Sequence, residues 1–238
     1  MNIAVIFAGG SGKRMHTKDK PKQFLLVHGK PIIVHTIEKF QYHPEIDGII
    51  VSCIESGIPY MEEMQYRYRL DKIEKIVPGG STGQMSIYNG LKAASEVYGL
   101  DDNVVLIHDG VRPLINDQLI SDNIESVKMH GSAITVTKAK ETVILVDNEG
   151  HVSDVPSREN SRNAQAPQSF WLKDILSVEK QAIAKGITNA IDSCTLMRQF
   201  GYELNVVEGP YENIKITTPD DFYTFRALYD IRENQQLE

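Results

Sequence analysis

Residues 3–7, 48–53, 104–107 and 133–136 are runs rich in isoleucine and valine that carry no regular alternation of apolar and polar side chains. A strand with one wet face alternates, whereas a strand covered on both faces does not, so these runs are predicted to be strands of a mostly parallel sheet. Segments with helical spacing fall at 31–40, 58–70, 83–98 and 117–129. Strands and helices that take turns in this way predict an α/β fold with one doubly wound, mostly parallel sheet. No Gly-, Ser- or Pro-rich linker and no internal repeat divides the 238 residues, so one unit spanning 1–238 is the expected organisation.

The texture changes between residues 139 and 162. Residues 142–146 and 151–155 flank Asp147-Asn148-Glu149-Gly150, whose Asn and Gly supply turn chemistry, so a β-hairpin is expected. A two-stranded ribbon is marginal alone, which points either to a partner subunit or to packing on the edge of its own domain. Beyond it, 172–185 and 190–200 read as helices, 203–208 and 213–217 as strands, and Pro219 opens a closing helix with Asp220 and Asp221 in its first turn.

Lys and Arg number 25 against 32 Asp and Glu, a net charge of −7. That balance argues against nucleic acid or anionic lipid as a partner, and means that an anionic ligand must be held by local cations. The longest apolar run, residues 3–8, is far short of the roughly 20 residues that span a bilayer, and no basic stretch precedes it, so a cytoplasmic location is expected. Cys53 and Cys194 are too few and too isolated for a disulfide framework or a thiolate metal site.

The chemistry is concentrated just after the predicted strands. Ala8-Gly9-Gly10-Ser11-Gly12-Lys13-Arg14-Met15 follows the first one, at the edge where such sheets place ligands. Its glycines let backbone N–H groups approach an anion while Lys13 and Arg14 add charge, which makes it a candidate phosphate cradle. Arg14 stands where a Walker loop needs Ser or Thr, and Met15 where a dinucleotide fingerprint needs a small residue. An ordinary tight strand-to-helix turn is compatible with the same residues. Lys22 follows in a proline-stiffened segment. Pro78-Gly79-Gly80-Ser81 precedes a helix with Ser86 in its first turn, its hydroxyl expected to be free to bond, and reads equally as a ligand turn or as capping. His108-Asp109-Gly110-Val111-Arg112-Pro113 ends a strand at the same edge; a carboxylate beside a polyphosphate suggests a divalent cation, although an Asp-Gly turn with an Arg partner would look the same. His108 is expected to be a packed core residue, and the absence of a His/Cys cluster argues against zinc. In Asn213-Ile214-Lys215-Ile216-Thr217 the isoleucines are expected to bury and to hold Lys215 rigidly.

Taken with Arg158 and Pro167-Gln168-Ser169-Phe170, these segments resemble, over nearly the whole chain, the cytidylyltransferases that activate polyol phosphates with CTP. They comprise the methylerythritol phosphate enzymes of isoprenoid synthesis and the ribitol 5-phosphate enzymes of teichoic acid and capsule synthesis. The resemblance implies a Rossmann-like nucleotidyltransferase with Mg²⁺ as cofactor. It also implies that Ala8, Gly9, Gly10, Ser11, Gly12, Lys13, Arg14, Lys22, Gly79, Gly80, Ser81, Ser86 and Asp109 bind the nucleotide, with Asp109 by the metal. Gly110, Arg112, Thr142, Arg158, Asp192 and Lys215 would handle the acceptor, with Arg14, Lys22 and Lys215 catalytic. The hairpin would be a dimerisation arm that brings Thr142 and Arg158 to the partner's site.

The chain departs from that pattern at Gly83, where the family usually has Arg, and at Ala166 and Ile191, where it has Thr. A pocket that lacks a hydroxyl discriminates against a substrate that needs one. With Val111 and the segment 155–158, these changes lean toward ribitol phosphate or a related alditol or glycerol phosphate. The methylerythritol phosphate reaction and a non-catalytic nucleotide-binding subunit are the alternatives.

Overall fold

The apolar runs become the middle of one sheet, and their lack of alternation has a visible cause. In the computed structural model, which describes residues 1–9 and 21–235, β1 (Asn2–Ala8) sends Ala4 and Ile6 to one face and Ile3 and Val5 to the other, all of them buried. After β1 come the short ribbon of β2 (Leu26–Val27) and β3 (Lys30–Pro31), then α1 (Ile32–Gln41), β4 (Gly48–Cys53) and α2 (Ile58–Tyr68). The chain continues through β5 (Ile73–Pro78), α3 (Gly83–Tyr98), β6 (Val104–Asp109), α4 (Asp117–His130) and β7 (Ser132–Lys138). The remainder consists of β8 (Leu145–Val146), β9 (Val152–Asp154), β10 (Arg162–Trp171), α5 (Leu172–Ala184), α6 (Ser193–Gln199), β11 (Val206–Glu208) and α7 (Pro219–Gln235).

Seven strands form the sheet in the order β11-β7-β10-β6-β1-β4-β5. All run parallel except β10, which is antiparallel to both β6 and β7. The chain winds outward from β1 through β4 to β5, then returns to the other side of β1 as β6. The carboxyl ends of β1 and β6 therefore flank the topological switch point, where an open α/β sheet opens a crevice for ligands. Residues of α1, α2 and α4 pack on one face, and those of α3, α5 and α6 on the other. Each fully buried isoleucine contributes about 1.5–3 kcal/mol to this core. A third cluster, Ile32, Val111, Leu114, Ile216 and Phe225, docks α7 against the segment that follows β6.

Polar side chains fix where the helices that frame the crevice begin. Thr82, Asn116 and Asp192 each accept a backbone N–H three residues on, capping α3, α4 and α6.

Several sequence expectations need correction. Residues 213–217 form no strand: Ile216 N–H donates to Val111 O at 2.9 Å, and Asp221 accepts Thr217 N–H at 2.9 Å and Thr218 N–H at 2.8 Å. The α6 helix starts at Ser193, after its cap, not at 190, and β11 starts at Val206, not at 203. The strand β10 was not anticipated, because its buried residues include the polar Gln168 and Ser169. They are satisfied by Cys194 N–H, which donates to Gln168 Oε1, and by Asn123 Oδ1, which accepts from Ser169.

The hairpin is present, though shorter than expected. The strands β8 and β9 pair antiparallel, Asp147 N–H donates to His151 O at 3.0 Å, and Gly150 adopts φ of +88° to close the turn. Every residue of the two strands is exposed. The excursion leaves β7 and re-enters β10 where Lys138 and Arg162 are paired, at the carboxyl edge of β7.

Candidate active site

Two adjoining clefts open at the carboxyl edge. One, of about 490 Å³, is lined by Ala8, Gly9, Lys22, Gly80, Ser81 and Ser86 among others. The second, of about 280 Å³, is lined by residues that include Gln84, Arg112, Ala166, Glu179, Ile191 and Asp192. Phe7, Gly83, Asp109 and Lys215 border both.

The last residue of β6 sits at the junction. Asp109 is buried, and each carboxylate oxygen meets a cation: Oδ1 lies 2.5 Å from Lys215 Nζ and Oδ2 2.8 Å from Arg112 Nε. Burial alone would raise its pKa, but Lys215 and Arg112 more than reverse that and hold the carboxyl well below the usual carboxylate range. Asp109 is therefore an anchor for two cations and not a proton carrier at neutral pH. Arg112 also donates through a terminal guanidinium nitrogen to Asn213 O at 2.8 Å, so its fork is locked. Lys22, in the short turn Lys22–Phe24, donates from Nζ to Ile216 O at 2.8 Å. In the larger cleft Lys22 and Lys215 outnumber Asp109 and leave one positive charge, in a chain whose net charge is −7. Such a local reversal of sign focuses an anion on the crevice.

The glycine turns come close to one another. A side chain at Gly9 would strike Ser86 Oγ, one at Gly80 would strike Met85 Cβ, and the Cα of Gly9 would lie 3.4 Å from a Cβ placed on Gly79. Here glycine is required by close backbone approach. The expectation of a free Ser86 hydroxyl is corrected: it accepts Gly80 N–H at 3.0 Å and donates to Thr82 O at 2.9 Å. Gly79 N–H is likewise committed, to Cys53 O at 2.6 Å.

The other expected residues distribute unevenly. Asp192 lines the smaller cleft, with its carboxylate taken up by Thr195 N–H at 2.7 Å and Gln168 Nε2 at 3.0 Å. Gly110 lines neither cleft; its N–H donates to Phe7 O and its carbonyl accepts from Thr36. Thr142 and Arg158 are exposed on the hairpin excursion and line neither cleft of their own chain. Gly10, Ser11, Gly12, Lys13 and Arg14 lie outside the described residues. His108 is a core residue as expected: burial drives its pKa down to about 4, and Nε2 donates to Arg112 O.

Sequence reasoning missed Phe7, Thr82, Gln84 and Glu179, none of which carries a motif. Glu179 is 1% exposed and burial pushes its carboxyl up to about 7, partly opposed by a hydrogen bond from Gln84. Its ordinary value is 4.5, so between about pH 4.5 and 7 the unfolded chain releases a proton that the folded chain keeps. Stability then falls as pH rises through that window, by on the order of 3 kcal/mol. Replacing Glu179 with Gln is expected to remove this decline. Urea unfolding at pH 5 and pH 8 should show a larger loss for wild type than for the variant, and equal losses would refute it.

Across the described residues no group of three His, Cys, Asp or Glu side chains could cage a metal ion. The donor set fits Mg²⁺ only as an ion held largely by phosphate oxygens, with Asp109 as the one carboxylate among the described residues that line the larger cleft. No helix among the described residues is long and apolar enough to cross a membrane.

Comparison with known proteins agrees with this fold. Residues 2–230 match the family model IspD, 2-C-methyl-D-erythritol 4-phosphate cytidylyltransferase. A ribitol-5-phosphate cytidylyltransferase of Streptococcus agalactiae serotype V is 61% identical over 237 residues, covering 100% of this chain and 98% of that relative. A 2-C-methyl-D-erythritol 4-phosphate cytidylyltransferase of Clostridium acetobutylicum is 39% identical over 229 residues, covering 96% and 97% of the two chains. Among solved structures, a 4-diphosphocytidyl-2C-methyl-D-erythritol synthase from Anaerococcus prevotii superposes with a TM-score of 0.81 at 30% identity, covering 96% of each chain. With its sheet, its switch-point crevice and a match over residues 2–230, the chain belongs to the IspD family of cytidylyltransferases.

Proposed function

We propose that this enzyme transfers the cytidylyl group of CTP to ribitol 5-phosphate, giving CDP-ribitol and pyrophosphate. The observation that carries the reading is the Lys215–Asp109–Arg112 cluster at the junction of the two clefts, where a nucleotide and a second anionic substrate would meet. Ribitol 5-phosphate is favoured over methylerythritol phosphate by the nearer kinship, 61% against 39% identity, with the enzymes that carry its name. Ala166 and Ile191, which line the smaller cleft, offer no hydroxyl there. An activated polyol of this class suits transfer to a cell-wall or capsule polymer.

In this reading the larger cleft takes CTP and the smaller one the acceptor. An acceptor phosphate oxygen attacks the α-phosphorus in line; the bond from that phosphorus to the bridging oxygen breaks, and its electron pair leaves with pyrophosphate. The acceptor phosphate is already ionised near neutral pH, so no general base is needed. What the chain supplies is alignment and charge neutralisation, through Lys22, Lys215 and, from the segment outside the described residues, Arg14. Arg112 and Asp192 face the acceptor, and Asp109 holds Lys215 in place. Mg²⁺, when bound on the phosphates, would neutralise further charge.

The hairpin arm completes the site in a second copy. Ile144, Leu145, Val146, Val152 and Val155 are all exposed, an apolar set that a homodimer would cover. Thr142 and Arg158 lie on the same excursion and line no cleft of their own chain, which fits a role in the partner's site.

The deciding experiment is pyrophosphate release with CTP and Mg²⁺ against ribitol 5-phosphate, glycerol phosphates, arabinitol phosphate and methylerythritol phosphate. Turnover is expected with ribitol 5-phosphate at least tenfold above the others. A preference for methylerythritol phosphate would overturn the acceptor, and silence across the panel with intact CTP binding would overturn catalysis.

A further inference from the structure

The two clefts are stapled together by side chains that no motif marks. From the first turn of α3, Thr82 Oγ1 donates to Thr188 O at 2.5 Å and Gln84 Nε2 to Ile187 O at 3.0 Å. Gln84 Oε1 accepts Ala190 N–H at 2.8 Å. The remaining capacity of the Gln84 amide goes to Glu179 Oε2 on α5, at 2.9 Å. Gln84 and Glu179 are 3% and 1% exposed. The turn that precedes Gln84, with Gly80, Ser81 and Thr82, lines the larger cleft, whereas Ala190, Ile191 and Asp192 line the smaller. A carboxyl is costly to bury. At this position it forces one orientation on the amide, with nitrogen toward Ile187 O and oxygen toward Ala190 N–H.

We propose that Glu179 and Gln84 are positioning residues that couple the nucleotide cleft to the acceptor cleft, so that a nucleotide docked on the Gly80–Thr82 turn orders the 187–192 loop before the acceptor arrives. The proposal rests on the assignment of the clefts to CTP and to a polyol phosphate. Binding that orders the first turn of α3 restrains the loop through three hydrogen bonds, and an acceptor entering an ordered loop loses less conformational freedom on binding.

Amide hydrogen exchange across residues 186–193 tests the coupling without any acceptor. CTP is expected to slow exchange of the Ala190 amide in wild type by tenfold or more. In Glu179→Leu and in the milder Gln84→Met it should slow exchange less than twofold, with the CTP dissociation constant held within threefold. Glu179→Gln, which keeps an acceptor for the Gln84 amide, should restore the response. In steady-state assays the leucine and methionine variants should raise the acceptor KM at saturating CTP about tenfold, and by reciprocity the CTP KM at saturating acceptor, with the CTP KM at low acceptor little changed. Unchanged exchange in wild type on adding CTP would overturn the proposal, as would a loss in Gln84→Met of affinity for CTP and for the acceptor when each is measured without the other. Slowed exchange together with no turnover on ribitol 5-phosphate would instead leave the coupling standing and remove the proposed acceptor.

Discussion

Lys215→Ala is expected to lower kcat by about 10²- to 10³-fold, the range seen when one preorganised charge partner of a transition state is removed. The argument is geometric. Lys215 Nζ is fixed 2.5 Å from Asp109 Oδ1, and the segment that carries it is pinned by buried Ile216, by the Ile216 N–H bond to Val111 O, and by Asp221 beneath Thr217 and Thr218. A cation held in this way needs no reorganisation as negative charge concentrates between the two phosphates. Lys22→Ala is expected to behave alike, because its Nζ is fixed by Ile216 O at the edge of the larger cleft. Since Asp109 keeps Arg112, the Lys215 variant should fold, and the CTP KM should move by less than tenfold. Single-turnover rates at saturating substrates, with circular dichroism to confirm folding, provide the check. A loss of only a few fold in both variants would remove these lysines from the chemistry.

Mixing two crippled variants is expected to revive the enzyme. Arg158→Ala should be slowed by about 10²-fold or more if its guanidinium acts in the partner's site, and Lys215→Ala is slowed through its own. In a dimer with one chain of each kind, one site carries both lesions and the other carries neither. Random exchange of subunits makes half the dimers mixed, so about one site in four regains both groups and activity returns to about a quarter of wild type. Assay of the two variants separately and after co-refolding measures this directly. Activity that stays at the sum of the separate values would place Arg158 in its own chain's site or outside catalysis altogether.

Much of the fold was legible because burial leaves a mark on composition. The strands β1, β4, β6 and β7 are covered on both faces and announce themselves as apolar runs, and α4 is signalled by the helical spacing over 117–129. By contrast, β10 is buried through Gln168 and Ser169, whose partners lie at Cys194, Asp192 and Asn123; no local pattern encodes such distant bonds. The segment 213–217 has the alternation of a strand, with Ile216 buried as expected, but its hydrogen bonds go to Val111 and Asp221 instead of a ladder. At the site, Asp109, Arg112 and Lys215 were legible as charged residues next to strand ends and in that alternating segment. Their mutual ion pairs, and the Gln84–Glu179 link across 95 positions, follow only from the folded chain.

The single reversed strand sets what this architecture can change at low cost. Because β10 runs against its neighbours, the chain leaves β7 and re-enters the sheet at the edge that holds the crevice, without crossing to the opposite edge. An insertion there precedes Ala164, Gln165 and Ala166, which line the smaller cleft, while no other strand shifts register, and a longer loop adds little closure entropy. The larger cleft, built on the tightly apposed turns after β1 and β5, has no such freedom, since even one methyl group at Gly9 or Gly80 meets a neighbour. On the proposed assignment of the clefts, the scaffold divides into a rigid donor half and an editable acceptor half, so new acceptor preferences can arise by remodelling the segment around the start of β10 while the nucleotide chemistry stays fixed.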